Sequence, residues 1–214
     1  MIPFPYQAAG AGLVQAVPLG PQATWDPTYQ AASITLSNSN KDAEANANNA
    51  GLVLSTDPKT TGKFFAEIEL VTVSSAGQAQ SFGFGVYNAT TGLTTYLGGN
   101  SNGFGSWVEG AGNVTRSSYN NNVQSNSTSG FTDPSVGTRG RMVVMPGVGI
   151  WLGRWGTTAW LGGGDPVAET SPTYALPAGT YRMAVNPRGT ARKLRLVDPS
   201  NWANPVSGCS VWGP

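Results

Sequence analysis

Two glutamates make the strongest case for catalysis in this 214-residue chain. Glu67 and Glu69 stand i, i+2 in the run FFAEIELVTV, so in a strand both project from one face, roughly 6–7 Å apart. A retaining glycosidase holds its acid and nucleophile carboxyls about 5–5.5 Å apart, which makes the pair a candidate for glycan hydrolysis. Yet Ile68 stands between them and Leu70-Val71-Thr72-Val73 follows, with no further acid. Carboxylates in that setting read as the polar, solvent-facing side of a strand. Missing residues exclude most other chemistry. The chain has no histidine, which removes Ser-His-Asp and Cys-His catalysis, HExxH zinc sites and a histidine pH switch. Its single cysteine, Cys209, can form neither an intrachain disulfide nor a cysteine-rich metal site, and no basic neighbour in the sequence activates it. GGNSNGFG, residues 98–105, lacks the lysine and flanking helix of a phosphate-binding loop. No catalytic residue, metal or cofactor is implied.

Recognition chemistry is better represented. Trp155 follows Arg154 in GIWLGRWGTTAW, where a hairpin tip would expose both, and an exposed Trp beside Arg is an interface anchor or a sugar-stacking platform. Trp107 opens an Asn/Ser/Gly-rich stretch, residues 101–133, that contains Tyr119 and Asn120 and reads as a long surface excursion carrying function. Trp107, Tyr119, Asn120, Arg154 and Trp155 are therefore the candidate binding residues. Trp151 and Trp160 read as core or corner residues, and Trp202 and Trp212 as anchors that tuck the tail onto the body or a neighbour. At the other end, Pro3, Pro5, Pro18 and Pro21 forbid a regular helix or a central strand. Ile2, Phe4 and Tyr6 are then large apolar groups on an extended arm, residues 1–22, suited to docking on another subunit. The start has no basic n-region and does not read as a signal peptide. No run approaches the ~18 apolar residues of a membrane span.

The elements that would position these residues are strands. Five of the six aspartates precede proline, and Asp at the first position of a turn with Pro at the second marks a corner between extended segments. Between the corners lie strand candidates at residues 33–37, 51–55, 64–73, 81–87, 141–145, 149–152, 180–185 and 193–197, rich in β-branched and aromatic residues. In the clearest, Phe64, Ala66, Ile68 and Leu70 share one face and Phe65, Glu67, Glu69 and Val71 the other. Short strands, glycine-rich turns and no helical periodicity indicate an all-β, antiparallel two-sheet sandwich.

Composition agrees. Charged residues are only 11% of the chain, and Gly (29) and Pro (15) are abundant, while Asn, Ser, Thr, Gly and Pro are poor helix-interior residues. The net charge of +1 argues against a polyanion binder. Nine of the 12 basic residues fall in residues 110–214. With Arg192 and Lys193 on opposite faces of a strand and no interleaved aromatics, they read as a solvated edge and not a nucleic-acid patch.

The order of the pieces resembles SPRY domains. Trp25-Asp26-Pro27, SITLSNSNKDAE and TGKFFAEIEL are similar to the family's opening tryptophan corner, its strand ending in Ser-Asn and its "SGK-aromatic-aromatic-x-E" strand. SFGFGVYN, LGGNSNGFGSW, GIWLGRWGTTAW, GGGDP…AGTYRMAVNP and KLRLVDPSNW follow in the family's order. The likeness runs from about Trp25 to Trp202. Gly140-Arg141, Arg154-Trp155-Gly156 and Met183 stand where the family has an acidic "GD", Asn-Gly and proline. The resemblance implies a concanavalin-like jelly-roll sandwich over residues 23–202, followed by a tail over 203–214, that binds partners through loops and has no catalytic machinery. The glucanases that share this sandwich carry Asp between their two glutamates, where Ile68 stands here. The charge-poor, Gly/Asn/Thr-rich flavour and the apolar leader resemble bacteriophage virion proteins. The expectation is a non-enzymatic virion structural protein (decoration, fibre or tail-associated) located in the virion. Its partners would be capsid or tail subunits and sister copies, with a host-surface glycan as a further ligand and neither nucleic acid nor membrane insertion involved. The alternative is a carbohydrate-binding module or glycan hydrolase of the same fold.

Overall fold

Alternation of apolar and small or polar residues builds two sheets. The computed structural model describes residues 20–48, 51–73, 82–109, 115–120, 123–127 and 134–214, and the arm residues Ile2, Phe4 and Tyr6 lie outside that set. One sheet contains β1 (Trp25–Gln30), β4 (Val53–Ser55), β6 (Phe82–Tyr87), β7 (Gly103–Glu109), β8 (Thr115–Asn120), β9 (Val123–Ser127) and β12 (Arg182–Pro187), in the order β1-β4-β12-β6-β7-β8-β9. The other contains β2 (Ile34–Ser37), β3 (Asp42–Ala45), β5 (Phe64–Thr72), β10 (Arg139–Met145), β11 (Gly149–Leu152) and β13 (Lys193–Leu196), in the order β11-β10-β5-β13-β3-β2. A last short strand, β14 (Ser210–Val211), runs parallel to the first residues of β5, Phe64 and Phe65. All other pairings are antiparallel.

The core lies between the sheets. Ala66, Ile68 and Leu70 of β5 meet Phe82, Phe84 and Val86 of β6, joined by Met142, Val144, Ile150, Leu152, Met183, Val185, Leu194 and Leu196. Trp25, Trp155 and Trp212 fill the remaining space. Two smaller clusters cover the outer faces. Leu52, Leu54, Tyr87, Leu97 and Ala184 pack on the first sheet. Phe65, Val143 and Trp151 pack on the second, beneath Trp160, Trp202, Val206 and Cys209.

Three readings of the sequence need correction. Residues 101–133 are not one surface excursion: three strands, β7 to β9, come from them and extend the first sheet. Strand pairing there is a matter of backbone hydrogen bonds, which an Asn/Ser/Gly-rich composition conceals. Asp26-Pro27 is not a corner either; it lies inside β1, an edge strand that bulges between Trp25 and Gln30. An edge or a bulge is where a strand tolerates proline. Finally, Arg192 is fully buried instead of solvated. Its guanidinium donates to the Arg188 carbonyl at 2.7 Å and lies 5.4 Å from the Phe82 ring, and burial pushes its pKa down to about 10.

Candidate functional site

Registry places Glu69 opposite Arg139 and Glu67 opposite Arg141, all on the outer face of the second sheet. Residues i and i+2 share a face, so the arginines of β10 match the glutamates of β5 one for one. Gly140, between the arginines, faces the core, where a Cβ would come within 2.6 Å of the Phe84 ring. On the outer face Glu67, Arg139 and Arg141 line a cleft of about 630 Å³. The loop Gly156–Thr158, Gly137, Thr138, Ala203 and Asn204 complete its lining.

Glu67 is 2% exposed and both its oxygens are engaged. Oε2 accepts from the Ala203 amide at 3.1 Å and from Arg139 Nη1 at 3.2 Å, and Oε1 accepts from the Asn204 amide at 3.1 Å. The expected solvent-facing carboxylate is instead a clasp that holds the C-terminal segment to the sheet. Arg139 bridges both acids, its Nη2 lying 3.3 Å from Glu69, and it also donates to the Asn201 carbonyl at 2.5 Å. Arg141, 8% exposed, takes a different path. It lies over Gly153, where a Cβ would come within 2.4 Å of its Cγ, and its guanidinium stacks 4.2 Å from the Trp160 ring. Its Nη2 donates to the Thr158 carbonyl. Burial lowers the Arg141 pKa from its ordinary value, the charge of Glu67 opposing the shift.

The sequence candidates do not form one surface. Trp107 sits in the middle of β7, paired with Gly83 and Ser117, while Tyr119 and Asn120 of β8 pair with Gly105 and Phe104. Arg154 and Trp155 follow β11, on the second sheet. Trp155, expected at an exposed tip, is only 2% exposed and lies edge-on to Phe82 and Phe84, at 4.9 and 5.1 Å. The loop that carries it folds back through Arg154 N–H to the Ala159 carbonyl (2.9 Å), which drives the indole between the sheets. Trp155 is therefore withdrawn as a binding platform, and Arg154 is half-buried at the base of the same loop. Sequence reading missed Arg139, Arg141, Thr157, Thr158, Ala203 and Asn204 as one site. The available signal was the matched spacing of Arg139/Arg141 and Glu67/Glu69.

Two sheets packed face to face, antiparallel but for β14, make a β-sandwich. The chain is similar to the SPRY domain of human HERC1, with TM-score 0.59 and 13% identity, covering 83% of this chain and 99% of that one. It is also similar to the TRIM65 PSpry domain, with TM-score 0.55 and 14% identity, covering 83% of this chain and 90% of that one. No family model matches the chain, and no curated protein sequence does. At these identities the likeness establishes the fold.

Proposed function

We propose that the chain is a non-enzymatic structural protein of a bacteriophage virion, docked on capsid or tail subunits by its arm and offering the sandwich as a recognition surface. The observation that carries the non-enzymatic part is the state of Glu67. A glycosidase needs one carboxyl free to meet the glycosidic oxygen and a second poised behind the sugar. Here both Glu67 oxygens are occupied by the Ala203 and Asn204 amides and by Arg139, and Glu69 is paired with Arg139. The assembled setting is supported by the low charge of the chain, 11%, since a surface so poor in charge relies on permanent neighbours for solubility. The apolar, proline-stiffened arm with Ile2, Phe4 and Tyr6 fits attachment by apolar burial and strand addition. Deletion of residues 1–20 tests the reading. The shortened protein keeps the circular dichroism and melting behaviour of the sandwich and is no longer incorporated into particles; normal incorporation overturns the proposal.

A further inference from the structure

Arg141 is the cleft cation that makes no salt bridge among the described residues. Across the outer face of the second sheet, acids and bases alternate by register: Asp42 of β3, Arg195 of β13, Glu69 of β5 and Arg139 of β10. In the next row Glu67 opposes Arg141, but its oxygens are taken by Arg139 and by the tail amides. Among the described residues Arg141 is left without a salt bridge, the charge of Glu67 reaching it only at longer range. Its Nε is buried with no hydrogen-bond partner, and among the described residues only Nη2 has one, the Thr158 carbonyl. A buried guanidinium with unused donors is costly until an anion meets it, and this one lines an open cleft large enough for a side chain or small ligand.

We propose that the cleft binds a carboxylate presented by a protein partner, an Asp or Glu side chain, with Arg141 as the charged anchor and Thr157, Thr158 and Asn204 framing the mouth. An acidic glycan fits less well. Sugars bind by stacking on a bare aromatic face, whereas here Arg141 lies over the Trp160 ring and the rest of that indole packs on the Phe65 cluster. Burial lowers the Arg141 pKa, and an incoming anion opposes that effect as Glu67 does.

The inference rests on the interaction reading above, but the arm deletion reports particle incorporation while this test reports binding at the cleft, so each can fail alone. The isotopically labelled full chain is titrated with an acetylated, amidated Gly-Asp-Gly peptide, with its Gly-Asn-Gly twin and with oligogalacturonate, and followed by NMR. The Asp peptide gives saturable shifts at the Thr158 amide, the Arg141 Nε–H and the Trp160 indole, and the Asn twin binds at least about tenfold more weakly, as loss of a charge-assisted bond requires. Arg141→Gln abolishes the response. So does Thr157→Tyr, which fills the mouth from an exposed position and leaves Arg141 in place. Equal binding of the twins, binding retained in both variants, a preference for oligogalacturonate, or no saturable shift overturns the proposal.

Discussion

Trp155 shows what a single residue can hide. Strict alternation through GIWLGRW would place it with Trp151, on the outer face, because Ile150 and Leu152 point into the core and Trp151 does not. The strand ends at Leu152, however, and the loop reverses the parity. A side chain predicted as a solvent-exposed anchor thus becomes part of the core. Truncating a buried aromatic costs about 3–5 kcal/mol. Trp155→Ala is therefore expected to lower unfolding stability by about that amount in urea melts, with Trp155→Phe milder; an unchanged midpoint in the Ala variant would contradict the packing described. Glu67 was misjudged for a related reason. Its place on the outer face was legible from period two, but its burial depends on a segment 136 residues away, and Ala203 gives no local sign that its amide caps a carboxylate.

At the scale of elements, most strands were legible because period-two alternation and β-branched residues mark them. β3 was not, since DAEA is built of residues depleted in strands. Cross-strand charge holds it instead. Arg195 of β13 grips Asp42 with Nε and Nη2 at 2.7 and 2.8 Å, and Lys193 meets Glu44 at 2.8 Å. Asp42 is also the one aspartate not followed by proline. Its burial pushes the carboxyl pKa up, but the Arg195 bonds and the Asn38 amide outweigh this and hold it below the usual 3.8. A depressed acid stabilises the fold fully above its unfolded pKa, and that contribution is lost as pH falls through the lower folded value. The stability gap between wild type and Asp42→Asn should then be constant from about pH 5 to 7 and close progressively below about 3.8. Denaturant melts across that range measure it, and a gap that persists unchanged into strong acid would show that Asp42 works by shape alone.

For the whole molecule, the two ends of the described chain tie the two sheets to each other. Ser210 donates to the Lys63 carbonyl at 2.8 Å beside β5, the Trp212 indole donates to the Asp57 carbonyl at 2.7 Å just after β4, and the Ala23 amide donates to the Trp212 carbonyl at 2.7 Å ahead of β1. β5 belongs to one sheet and β1 and β4 to the other, so Trp212 is a rivet between them. Its ring lies 5.5 Å from Phe64, and Lys59 binds the Gly213 carbonyl beside it. The sequence suggested that Trp212 tucks the tail onto the body. It did not indicate that the tail joins both sheets, because the partners lie some 150 residues upstream and share no motif with it. Removing a buried Trp costs about 3–5 kcal/mol, a large share of the roughly 5–15 kcal/mol by which a domain is stable. Trp212→Ala is expected to lower the melting temperature by roughly 6–20 °C, at about 2–4 °C per kcal/mol for a domain of this size. Because the rivet couples the sheets, calorimetry of the wild type should show one transition. Two resolved transitions in the wild type would mean that the sheets are not coupled, and an unshifted midpoint in Trp212→Ala would mean that they hold together without it.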